Sequence, residues 1–169
     1  MSEHWDEEYR EYVQSALPML RRLAYVLCQD PHRADDLVQN TLVKLYLRWE
    51  RARGASSLEA YARTVLFRVF LSERRTSWAK RMVLVEEVPE SSIPTGLDAA
   101  SALALRAALA TLPPKQRAVL VLRFFADLTV EETADTLGCP NGTVKSHTSR
   151  GLAALRRALP DDVSTWVRS

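Results

Sequence analysis

Apolar residues recur at helical spacing through most of the chain, and no segment alternates in the manner of a strand. Val13, Leu17, Leu20, Leu23, Ala24 and Leu27 fall three or four apart, predicting an amphipathic helix over 13–27. Asp30-Pro31 then supplies a capping carboxylate followed by proline at the first helical position. The helix it opens is expected to reach about Trp49, with Arg51–Ser57 (Gly54 and two serines) as a loop. A third helix begins near Leu58 and carries Tyr61, Val65, Leu66, Val69 and Phe70.

Composition shifts between Glu86 and Asp98, where four acids stand without a base among Pro89, Pro94, Ser91, Ser92 and Gly96. That predicts a linker, because long unstructured loops inside compact domains are uncommon. Beyond it come helical stretches over 99–112 and 115–125. Asp127-Leu128 makes a turn, a short helix spans Val130–Leu137, and a last one runs from about Thr143 to Leu159. The expected fold is therefore all-α: two small helical domains, 1–85 and 99–169, joined by an acidic flexible linker, 86–98.

The segment from Val130 to His147 has the grammar of a helix-turn-helix: a short helix, a stop at Gly138, then a longer helix. Small Ala134 permits close approach, and Val130, Leu137 and Val144 are expected to seal the crossing. At about 100° per residue, Thr148, Gly151 and Leu155 fall within about 40° of Val144 and form the buried stripe. Ser146, Ser149, Arg150 and Arg157 lie opposite, with Lys145 at the flank. Hydroxyls and arginine suit base edges, and lysine suits phosphate.

Charge supports a polyanion partner. The formal net charge of a chain of 169 residues is only +2, but its distribution is uneven. Arg63, Arg68, Arg74, Arg75, Lys80 and Arg81 face Glu73 alone between Ala60 and Val85. Lys145, Arg150, Arg156 and Arg157 meet no acid before Asp161. Two basic zones thus flank an acidic stretch, the footprint expected of nucleic-acid binding.

The residues just described carry a resemblance. Leu112-Pro113-Pro114-Lys115-Gln116-Arg117, continuing through Leu128–Ala134 to Gly142–Ser146, closely resembles the C-terminal domain of bacterial extracytoplasmic-function sigma factors of the sigma-70 family, as in actinobacterial members. The resemblance implies that Thr143, Lys145, Ser146, Ser149 and Arg150 read a −35 promoter element. The family usually has arginine where His147 stands. Thr143–His147 also looks like the recognition segment of LuxR-type regulators, so the N-terminal half has to decide.

There, Asp35–Leu42 resembles the sigma segment that docks on the polymerase clamp. Independently, Val38, Leu42, Leu45 and Trp49 share one face of this helix, while Val43 and Leu47 point the other way, beside Asp36, Gln39 and Asn40. A helix apolar on both sides is buried all round or has a partner, and the interspersed polar residues favour a partner. The resemblance gives Asp36, Gln39, Asn40, Val43 and Leu47 to core RNA polymerase. Leu58–Arg75 resembles the next segment, implying that Tyr61, Arg63, Arg68, Arg74 and Arg75 meet the −10 element and its melted strand. Arg68 and Ser72 depart from the family's asparagine and aspartate. Phe67, Phe70 and Trp78 lie among these cations, as in single-strand binders, although several rings must be core. The Arg51–Ser57 loop matches where the family captures a flipped base. In the family, the acidic linker threads toward the polymerase cleft, a role that Glu86, Glu87 and Glu90 suit.

The resemblance therefore implies a sigma factor with core polymerase and promoter DNA as partners, and an anti-sigma factor like those many relatives obey. The alternatives are a LuxR-type regulator and a helical adaptor that binds acidic proteins. Catalysis, metal and cofactor have no footing: His4, His32 and His147 join no convincing constellation, and no glycine-rich phosphate cradle occurs. Cys28 and Cys139 form no C-x-x-C pair. An acidic N-terminus and the lack of an apolar run near ~18–20 residues point to a cytoplasmic protein without a membrane role.

Overall fold

A computed structural model describes residues 2–77 and 98–159, with the side chains of 3–73 and 98–159. All regular structure among the described residues is helical. The expected linker, apart from Asp98, lies outside them, as do Trp78, Lys80 and Arg81.

α1 spans Ser2–Cys28 and starts well before Val13. Its charged opening conceals Trp5, Tyr9 and Tyr12, whose rings face the next helices. Tyr9 donates through its hydroxyl to the Leu42 carbonyl at 2.6 Å, and Tyr12 to the Leu58 carbonyl at 3.2 Å. Trp49 meets both tyrosine rings, each with centroids 5.4 Å apart. α2 spans Pro31–Leu47, capped as expected by Asp30, whose carboxylate accepts from the His32 N–H at 2.9 Å.

α2 stops before Trp49. Arg48 leaves helical geometry at φ −116° and ψ 24°, and a short α3, Trp49–Arg53, follows. The expected loop over 51–57 is therefore only Gly54–Ser57, because burial of Trp49 and Ala52 holds α3 against the core. The Ser57 hydroxyl caps α4, Leu58–Ser77, by accepting from the Ala60 N–H at 3.1 Å.

Asp98 caps α5, Ala99–Thr111, accepting from the Ser101 N–H at 2.6 Å. α6, Pro114–Leu120, does not continue as an α-helix to Phe125. It widens into a π-helical turn over Val121–Phe125, closed by the Ala126 N–H on the Val121 carbonyl at 3.0 Å. Such single π turns are uncommon interruptions of a helix. α7 spans Val130–Leu137 and α8 Asn141–Ala158.

The groups α1–α4 and α5–α8 are in contact, and one cluster of buried side chains runs through both. Arg117, 1 % exposed, bridges them. Its guanidinium donates to the Leu27 carbonyl at 2.7 Å, and to the Ala110 and Leu112 carbonyls at 3.0 and 2.9 Å. The last carbonyls of any α-helix lack intrahelical partners. At the end of α1, the Gln29 N–H serves Tyr25, the Gln29 side chain serves Val26, and Arg117 serves Leu27. One cation thus completes helix ends in both groups, where the helix dipole favours positive charge.

Candidate nucleic-acid interface

The helix-turn-helix is built by local chemistry. Thr129 and Glu132 form a reciprocal cap: the Glu132 N–H donates to the Thr129 hydroxyl at 3.1 Å, and the Thr129 N–H to the Glu132 carboxylate at 3.4 Å. Gly138 ends α7 at φ 66°, a left-handed conformation that favours glycine. Ala134, Val144 and Val119 are buried where α6, α7 and α8 meet, with Val130, Leu137 and Cys139 packed around them.

α8 turns the expected side inward. Val144, Gly151 and Leu155 are buried and Thr148 is half-buried, its hydroxyl donating to the Val144 carbonyl at 2.7 Å. Lys145, Ser146, Ser149, Arg150 and Arg157 are exposed, and Thr143 is half-buried. The face therefore offers two hydroxyls and three cations to solvent.

Sequence spacing missed a second cation cluster. A cavity of about 330 Å³ beside α8 is lined by Arg123, Lys145, Arg156, Thr148 and Ser149, among others. Arg123 comes from the π-helical turn and donates to the Leu128 carbonyl at 2.7 Å, which fixes the approach to α7. A straight helix through 115–125 gave no reason to bring Arg123 beside Lys145. His147 is half-buried, and burial, then the charges of Arg150 and Lys115, hold its imidazole below the ordinary value. It is therefore a neutral side chain at neutral pH, unlike an arginine there.

In the N-terminal group, α2 separates its faces as expected. Val38 and Leu45 are buried, as is Trp49 just beyond it in α3, whereas Val43 is 57 % and Leu47 75 % exposed. Asp36, Gln39 and Asn40 are exposed beside them. Asn40 donates to the Glu73 carboxylate at 2.6 Å, tying α2 to α4. The face is a ridge of apolar side chains rimmed by polar groups.

α4 departs more from expectation. Phe67 and Phe70 are core, at 0 % and 2 % exposure, so neither is a stacking platform. Tyr61 is half-buried against the same core. The Arg63 side chain is 13 % exposed, with Glu59 at 3.8 Å, and has little reach toward a ligand. Arg68 is exposed. The side chains of Arg74 and Arg75 lie outside the described residues. Among the described residues no group of three or more His, Cys, Asp or Glu side chains is placed to hold a metal, and no helix is long and apolar enough to cross a membrane.

Two family models match the chain in order: Sigma-70 region 2 over residues 12–80, and Sigma-70 region 4 over residues 102–155. The chain is similar to the RNA polymerase sigma-E factor of Streptomyces coelicolor, with 40 % identity over 90 % of this chain and 86 % of that protein. It is 33 % identical to the ECF RNA polymerase sigma factor EcfG of Rhodopseudomonas palustris, again over 90 % and 86 %. Among solved structures, it is similar to the sigma factor RpoE crystallised with the anti-sigma factor NepR from Bartonella quintana. The TM-score is 0.68 and the identity 28 %, covering 90 % of this chain and 96 % of that one.

Proposed function

The chain belongs to the extracytoplasmic-function group of sigma-70 family RNA polymerase sigma factors, and on that premise we propose how its residues divide the work. It binds core RNA polymerase and directs transcription initiation at particular promoters. The observation that carries the division is the pairing, in one chain, of an acid-free recognition helix with an upstream helix that keeps Val43 and Leu47 in solvent.

Residues 1–85 take the polymerase and the −10 element, 86–98 connect, and 99–169 take the −35 element. Asp36, Gln39, Asn40, Val43 and Leu47 form the polymerase ridge: two apolar anchors inside a polar rim, the anatomy of a protein interface. Ser146, Ser149 and Arg150 face base edges, while Lys145 meets phosphate and Thr143 supports the helix start. Arg123 and Arg156 join Lys145 on the phosphate side. On α4, Arg68, Arg74, Arg75 and Tyr61 meet the −10 strand, and Arg63 mainly stabilises α4. The protein is a cytoplasmic transcription factor without catalytic chemistry of its own. An anti-sigma protein, of the kind that holds the Bartonella factor, is a further partner.

Transcription from a promoter library with purified core polymerase tests this function. The chain alone should confer promoter-dependent initiation. A LuxR-type regulator would need a second sigma factor, and an adaptor would give no transcript.

A further inference from the structure

The opening turns of α1 lie ahead of the Sigma-70 region 2 match, which begins at residue 12, yet they grip α3. Trp5, Glu8, Tyr9 and Tyr12 recur three or four apart and so share one side of α1. That side meets α3 at both ends. The rings of Tyr9 and Tyr12 stand against Trp49, whose buried indole N–H has no acceptor among the described residues. Ring packing, not a hydrogen bond, therefore fixes the indole. At the other end, the Glu8 carboxylate lies 3.2 Å from the Arg53 guanidinium, which also stands 5.9 Å from the centre of the Trp5 ring. Tyr46, in the last turn of α2, donates to the Asp6 carboxylate at 2.8 Å and sets its ring edge-on to Tyr9.

α3 cannot hold this position by itself. It has five residues, far below the ~12–15 at which an isolated helix is even marginally stable, and no side chain caps its start. The loop over Gly54–Ser57 follows Arg53 directly, so the placement of α3 sets where the loop begins. At the far end of the loop, the Tyr12 hydroxyl holds the Leu58 carbonyl at 3.2 Å. Both ends are thus fastened to α1, while Gly54, Ser56 and Ser57 between them are exposed.

We infer that the opening turns of α1 are a brace that sets the loop over 54–57 in place to take an unstacked −10 base, with Trp5 and Glu8 as positioning residues acting through Arg53. The inference rests on the assignment of that loop to the melted strand. The chemistry suits precision more than stability. Glu8 and Arg53 each keep 36 % of the side chain exposed, and such surface pairs add little to folding free energy. The pair does fix where the guanidinium stands, and the Trp5 ring holds it from a second direction. A site for a flipped base needs that constraint, because small misplacements cost selectivity.

The test uses the full chain. A nitroxide on Ser56→Cys, with Cys28 and Cys139 replaced by alanine, reports the motion of the loop. Trp5→Ala combined with Glu8→Ala should raise that motion, whereas Trp5→Phe alone, which keeps a ring over Arg53, should not. Without the label, holoenzyme carrying the double variant is given a promoter library randomised at both elements. It should lose discrimination at one −10 position about tenfold. Its −35 preference and its core polymerase binding should stay unchanged, which a general loss of folding would not allow. Unaltered loop motion overturns the inference while leaving the loop's assignment intact. Raised motion with an unchanged −10 preference overturns it through that assignment instead. An equal loss at every promoter position also overturns it, because the opening turns would then be structural support alone. Should the double variant unfold, Glu8→Gln breaks the ion pair by itself and is read by the same two measurements.

Discussion

Gly151 and Leu120 set the distance between the recognition helix and the helix beneath it. A Cβ built on Gly151 would stand 2.9 Å from Leu120 Cδ1 and 3.1 Å from its Cγ. Leu120 is 2 % exposed and has little room to retreat. Gly151→Ala gains about 1 kcal/mol in helix propensity but incurs overpacking of about 1–3 kcal/mol. A net loss of about 1 kcal/mol is expected, measured by urea unfolding of the full chain. An increase in stability would show that α8 shifts freely.

Exposure of Val43 and Leu47 predicts that folding and partner binding separate cleanly on α2. Leu47→Glu should change unfolding free energy by no more than ~0.5 kcal/mol, as surface substitutions do. Core polymerase binding should weaken at least tenfold, a cost of about 1.4 kcal/mol. Unfolding of this variant would contradict the 75 % exposure of Leu47.

On α8, base reading and phosphate contact should respond differently to truncation. Arg150→Ala should relax preference at one or two −35 positions, losing ~1–3 kcal/mol if its contact is a good bidentate one. Lys145→Ala should weaken all sequences about equally and reduce the salt slope by about one phosphate contact. Holoenzyme on a randomised −35 library at several salt concentrations distinguishes them. A changed consensus with Lys145→Ala alone would reverse the assigned roles.

His147 gives a pH dependence with a defined sign. Its folded value is depressed by burial, with Arg150 and Lys115 adding to the shift, so the unfolded chain binds its proton more readily. Its contribution to stability is present above the unfolded value near 6.5 and is lost as pH falls through the folded one. Unfolding measured at pH 7.5 and 5.5 should show a smaller loss for His147→Asn than for the unaltered chain. Equal losses would remove His147 from the account.

Cleavage offers a check on the domain boundaries. The proline, serine and glutamate content of 86–98 predicts that limited proteolysis cuts there first. The two fragments should then co-elute, because α1–α4 and α5–α8 share one core. First cleavage inside α2 would place the boundary elsewhere.

Sequence alone determined the features that depend on neighbours along the chain. The Asp30-Pro31 start of α2, the Val130–Leu137 helix with its Gly138 stop, and the facing of α8 all follow from capping, backbone freedom and a 3.6-residue period. The family was legible for a related reason: its motifs are short contiguous strings. Tertiary structure decided whatever depends on contacts between distant segments. Trp49 broke the expected end of α2 by packing against Tyr9 and Tyr12, and the π-helical turn carried Arg123 to the Lys145 side of α8. Arg63, one more cation in a basic run, is mostly buried, and Phe67 and Phe70 are core. Arg117 held no special place within Pro114–Arg117, yet it closes the end of α1 from 90 residues away. Periodicity reports which side of a helix is apolar. It carries no information about which other helix, or which buried guanidinium, completes that side.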